Sequence, residues 1–166
     1  MKDNELDFNL DAYRPVLATA YGEGANQDYE TKRNIISTIL NRAESGKEEF
    51  GAHTGKITDV LKTGYYAYQN RSPKFLEALD NKFKDDLSRR SYREFEVILS
   101  GILRGKVDKT EALFFFTPKE INRFKQTKAV DMSLLDKTMK SGDFEFFKYK
   151  PVTSFAGKRK FPKINK

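Results

Sequence analysis

Apolar positions recur at three- and four-residue intervals through most of the chain, and that spacing predicts helices. In 10–21, Leu10, Tyr13, Val16, Leu17, Ala20 and Tyr21 form one side of an amphipathic helix. Residues 28–44 repeat the pattern with Ile35, Ile36, Ile39, Leu40 and Ala43, and Gly46 supplies a stop. A shorter helical turn is predicted over 57–61, after a loop over 48–56. Ser72-Pro73 has the form of an N-cap followed by proline at the first helical position, so a helix is predicted from there to about Phe83. Asp85-Asp86 opens a longer scaffold helix with Tyr92, Phe95, Ile98, Leu99, Ile102 and Leu103 inward, ended by Gly105.

The last third of the chain changes character. Residues 111–116 are apolar and aromatic but too short for a helix, so an extended segment is predicted there. It leads into Thr117-Pro118-Lys119-Glu120, which has the form of a capping box. A short helix is predicted over 132–139, and a closing extended segment over 142–149 around Phe144, Phe146, Phe147 and Tyr149. The pattern is that of a mainly α single domain over 1–150 with a small extended or β element, followed by a basic tail at 151–166.

The first helix runs into Tyr21-Gly22-Glu23-Gly24, a carboxylate set between two glycines. The glycines are expected to stop the helix and re-aim the chain. Glu23 would then sit at the negative end of the helix dipole, which disfavours its charged form and pushes its pKa upward. A carboxylic acid partly protonated near neutral pH suits general-acid cleavage of a glycosidic bond.

The string from Tyr21-Gly22-Glu23 to Asn41-Arg42 resembles the germination-type cell-wall hydrolases, the family of spore-cortex-lytic enzymes. Their signature is a Tyr-Gly-Glu-Ala-like motif followed by a helix of small and apolar residues closing on Asn-Arg. The resemblance extends more weakly through 57–61, 112–118 and 142–149. It implies a lysozyme-like domain with helices around a sugar groove and Glu23 as the catalytic residue. It also implies lytic transglycosylase chemistry between N-acetylmuramic acid and N-acetylglucosamine, without metal or cofactor. By the same resemblance the groove is bordered by Tyr65, Tyr66 and Tyr68, where the family carries a Gly-Gln-Phe-Ser-like stretch. On the other side it is bordered by Phe116 and Thr117, where the family has Phe-His-Asn-Pro; this chain lacks those Gln, Ser, His and Asn residues.

A hydrolytic muramidase needs a second carboxylate, and Asp28 and Asp59 are the candidates. His53, the single histidine, has no companions at metal-ligand spacing. With no cysteine, the chain has no disulfide scaffold, thiol nucleophile or thiolate metal site.

At 166 residues the chain is one domain in size, and a likeness to secreted or membrane-spanning proteins is missing, since no apolar leader or span is evident. A monomer made in the cytoplasm and acting on the wall after release is expected, as for a bacteriophage endolysin. The net charge of +7 is uneven. From Phe144 onward seven cations face only Glu145, a balance of +6, so the tail is expected to hold the protein to polyanionic envelopes. The same basic, aromatic composition also fits a non-catalytic module binding nucleic acid or wall polymer.

Overall fold

The computed structural model describes residues 10–151; of the tail expected over 151–166, all but Pro151 lies outside the described residues. The described chain is mainly helical, with a small three-stranded antiparallel sheet. Helix α1 (Leu10–Gly24) and helix α2 (Tyr29–Ser45) lie at its centre. Val16, Leu17, Ala20 and Tyr21 of the first and Ile35, Ile36, Ile39 and Leu40 of the second are all buried. Full burial of each large apolar side chain stabilises by about 1.5–3 kcal/mol before the entropy cost of ordering it. Asp28 caps α2 by accepting from the Thr31 amide at 2.9 Å, and Gly46, at φ 63°, ends it.

Two 3-10 turns, Glu48–Phe50 and Ala52–Thr54, occupy the segment expected to be a loop. Gly51 and Gly55 close them at φ 70° and 73°, where a side chain would be strained. Helices α3 (Ile57–Gly64), α4 (Tyr66–Gln69), α5 (Pro73–Leu79) and α6 (Asp86–Leu103) follow. Ser72 and Asp85 cap α5 and α6 through bonds from the Phe75 and Ser88 amides. α5 stops at Leu79 rather than running to Phe83. Asn81 turns the chain at φ 54°, and the Phe83 ring then packs on Tyr21 and Tyr92 at 5.8 and 5.0 Å between centroids. Those ring contacts stand where one more helical turn was expected.

Strand β1 (Phe114–Phe116) leads into helix α7 (Pro118–Thr127). The helix expected over 132–139 is not formed. A 3-10 turn at Met132–Leu134 is followed by strand β2 (Leu135–Ser141), paired with strand β3 (Phe144–Tyr149) in the order β1-β3-β2. Its apolar residues, Leu135 and Met139, lie four apart in sequence, and a bulge between Lys137 and Met139 sets them opposite Tyr149 and Phe146, on different faces of the sheet. Four is also a helical interval, so spacing alone pointed to the wrong element.

The sheet divides its aromatics between two faces. Phe114, Phe116 and Phe147 share one with Phe124 and Tyr149, and Phe115, Phe144 and Phe146 share the other, where Phe115 meets Tyr65. At the start of α7 the capping box is complete: Thr117 Oγ1 accepts from the Glu120 amide at 3.2 Å, and Glu120 Oε2 accepts from the Thr117 amide at 2.8 Å. Thr117→Ala is therefore expected to cost about 1 kcal/mol, read as a lower urea midpoint with an unchanged slope. An unchanged midpoint would mean that the box adds nothing to the fold.

Candidate functional site

Helix α1 does not stop at Gly22. It continues through Gly24, and neither glycine adopts a positive φ. Their role is close approach. A Cβ on Gly22 would stand 2.6 Å from the Ala67 Cβ, and one on Gly24 would collide with Ile35 Cδ1. The last turn of α1 is thus pressed between α2 on one side and the start of α4 on the other.

Glu23, half-buried, uses that proximity. Its Oε1 accepts a hydrogen bond from the Ala67 amide at 2.9 Å. Ala67 is the second residue of α4, and the residue at its N-cap, Tyr65, gives it no side-chain cap. The Glu23 carboxylate meets one of the amides that a helix start leaves unsatisfied. Gly22 and Glu23 therefore act together: the missing side chain admits α4, and α4 holds the carboxylate.

Tyr65 is fully buried. Its hydroxyl lies 2.9 Å from Thr38 Oγ1, whose own proton goes to the Ile35 carbonyl at 2.7 Å, so the phenol is the donor to Thr38. Burial raises the Tyr65 pKa above its ordinary value, and the nearby Glu23 charge raises it further; Arg42 and the Thr38 bond oppose both. The phenol is accordingly neutral across the physiological range.

Arg42 is buried among rings. Its guanidinium carbon lies 5.0 Å from the centroid of Tyr65, 5.1 Å from Phe50 and 5.3 Å from Phe114, and its Nε donates to the Leu113 carbonyl at 2.7 Å. Asn41 beside it donates to the Thr110 and Ala112 carbonyls, each at 2.8 Å. The Asn-Arg pair fastens the approach to β1 onto α2 and supports the Tyr65 ring.

The residues singled out from sequence separate into two groups. Tyr66 is 62% exposed, and Tyr68 is half-buried with its ring edge-on to Phe75 at 5.6 Å. These two can meet a ligand. Tyr65 and Phe116 cannot as they stand, because both are buried, Phe116 between Phe124 and Phe147 at 4.9 and 5.8 Å. The Thr117 hydroxyl is engaged in its capping box.

No family model, curated protein or solved structure matches this chain.

Of the other carboxylates, Asp28 is held by the Thr31 amide, which keeps its pKa below the usual aspartate value, and Asp59 accepts from Thr54 Oγ1 at 2.7 Å. His53 is exposed. Among the described residues no group of three or more His, Cys, Asp or Glu side chains could hold a metal.

Sequence reasoning missed the clasp just beyond the site. Gln27 Nε2 donates to Asp143 Oδ2 at 2.8 Å, and its Oε1 accepts from the Asp143 amide at 3.1 Å. The Thr31 and Ser141 hydroxyls share a bond of 2.6 Å. Together they pin the β2–β3 turn to the α1–α2 junction. The one local sign was Gly142, which stands at φ 57° in that turn, where a Cβ would strike Gln27 Oε1.

Proposed function

We propose that the protein cleaves peptidoglycan as a lytic transglycosylase on a lysozyme-like scaffold, with Glu23 as its single catalytic carboxylate. The observation that carries the reading is the placement of Glu23. It is half-buried in the last turn of a core helix, with one oxygen fixed by the Ala67 amide and the exposed Tyr66 adjacent in sequence to that amide. A carboxyl group so fixed can transfer its proton along one direction.

In the proposed reaction the Glu23 carboxyl protonates the bridging oxygen between N-acetylmuramic acid and N-acetylglucosamine, and the bond from that oxygen to the muramic C1 breaks. The resulting carboxylate then takes the proton of the muramic acid's own C6 hydroxyl as that oxygen bonds to C1. The products are a 1,6-anhydro end and a free N-acetylglucosamine end, and Glu23 regains its proton. No water is consumed. The local engagement of Asp28 and Asp59 favours this single-carboxylate route over hydrolysis.

The aromatic wall of the groove in this reading is Tyr66 with Tyr68; a pyranose presents an apolar face to such rings. Because Tyr66 is mostly exposed, Tyr66→Ala is expected to change stability by less than about 0.5 kcal/mol while raising KM for glycan several-fold. A large drop in melting temperature with unchanged KM would remove Tyr66 from the groove. No described helix is long and apolar enough to cross a membrane. Action on the wall after release, as a phage endolysin acts, and attachment through the basic tail belong to the same proposal.

Incubation with purified peptidoglycan, followed by mass analysis of the fragments, tests the reading. Anhydro ends are the expected product. Reducing ends would make the protein a hydrolytic muramidase, and no release would end both readings.

A further inference from the structure

The junction of α1 and α2 borders a second feature. A cleft of about 760 Å³ lies between the end of α1, the start of α5 and the first turns of α6. Four cations line it: Lys32 from α2, Lys74 from α5, Lys84 from the segment before α6, and Arg90 from α6. Only two carboxylates, Asp85 and Glu94, oppose them there, an excess of two positive charges. Asp85 is already committed to capping α6, its Oδ1 accepting from the Ser88 amide at 2.8 Å.

Lys32 is the decisive residue. Its side chain is 4% exposed, and the Phe95 ring lies 5.2 Å from its ammonium. Among the described residues its nearest carboxylate oxygen is Glu94 Oε1 at 3.5 Å, well beyond the 2.7–2.9 Å of a charge-assisted hydrogen bond. Lys32 faces the cleft with Glu94 and Phe95 beside it, and an anion bound there would give its ammonium a charge-assisted bond shorter than the 3.5 Å contact to Glu94.

We propose that this cleft binds a phosphate group. The excess of two charges matches a phosphate dianion, and the donors come from four separate segments, an arrangement suited to a tetrahedral anion more than to a planar carboxylate. The aromatic ring in the lining, Tyr21, is fully buried and offers no platform for stacking a base, which disfavours single-stranded nucleic acid as the carrier. The carrier assigned here is a polyol-phosphate polymer of the cell envelope; this part alone rests on the wall reading above.

The test is a titration of the ¹⁵N-labelled full chain with inorganic phosphate at constant ionic strength. Saturable shifts are expected at the amides of Asn26, Ser88 and Ser91. Lys32→Met should weaken binding about tenfold, the loss of one charge-assisted bond. Should that buried variant fail to fold, the surface pair Lys74→Ala/Lys84→Ala should weaken it at least as much. Equal shifts with chloride, or unchanged affinity in a folded variant, would overturn the site. Glycerol phosphate oligomers should displace phosphate; displacement by an oligonucleotide alone would overturn the carrier. Glu23→Gln should bind phosphate as the wild type does, so a failure of the cleavage reading and a failure of this site are separately visible.

Discussion

Glu23→Gln is expected to lower the release of peptidoglycan fragments by at least about 10³-fold while the protein stays folded. One residue serves in succession as acid and as base in the proposed reaction, and a positioned proton-transfer group contributes roughly 10²–10⁴-fold on its own. The amide of glutamine keeps the size and planar shape of the side chain, and its oxygen can still accept from the Ala67 amide that now holds Oε1 at 2.9 Å. Thermal unfolding should therefore hardly move. Glu23→Ala is a useful companion. It leaves the Ala67 amide without that acceptor, which is expected to cost about 1 kcal/mol as well as the activity. Fragment release by Glu23→Gln within a few-fold of wild type would remove Glu23 from the chemistry.

Gly22→Ala is expected to destabilise the protein, against the intrinsic preference of the two residues. In an exposed helix interior alanine is favoured over glycine by about 1 kcal/mol, so helix propensity alone forecasts a gain. Gly22 is helical, but a Cβ there would lie 2.6 Å from Ala67 Cβ, 3.2 Å from Ser72 Oγ and 3.3 Å from Phe75 Cβ. Ala67 cannot rotate out of the way, because its Cβ is fixed to the backbone of α4. Overpacking of this kind costs about 1–3 kcal/mol. The relief available is to push α4 off α1, and the first bond stretched is the one from the Ala67 amide to Glu23. Turnover of the fraction still folded should fall about tenfold or more, because a misplaced catalytic group loses rate steeply. A rise in melting temperature, or normal turnover in the folded fraction, would show that the contact yields easily and does not position the carboxylate.

The helices were legible because their signals are local. Asp28, Ser72, Asp85 and Thr117 each cap the helix that the sequence placed after them, and the stripe through Ile35, Ile36, Ile39 and Leu40 is buried. Glycine was harder to read. Gly22 and Gly24 stand at a helix end and look like breakers, but what fixes them is the nearness of Ala67 and Ile35 from other elements. The tyrosines of 65–68 failed to sort for a similar reason. Which ring faces water depends on where α3 ends and α4 begins, and that boundary is set by packing against α1. Residues 132–139 misled because Leu135 and Met139 stand at an interval that helices also use, whereas the pairing that makes the segment a strand is with Phe144–Tyr149. The partners of Gln27 and Thr31 lie 116 and 110 positions away, beyond any local pattern.

Those long-range bonds bear on the order in which the chain assembles. The β2–β3 hairpin joins neighbours through a two-residue turn, the kind of closure that forms in microseconds. Its attachment to the α1–α2 junction must first close more than a hundred residues of chain, at an entropic cost that rises with the logarithm of that length. Gln27, Thr31, Ser141 and Asp143 can meet only after the helices between them have condensed. The α1–α2 junction and the turn pinned to it therefore join late in folding, and a nascent chain still emerging from the ribosome holds Gln27 and Thr31 without their partners.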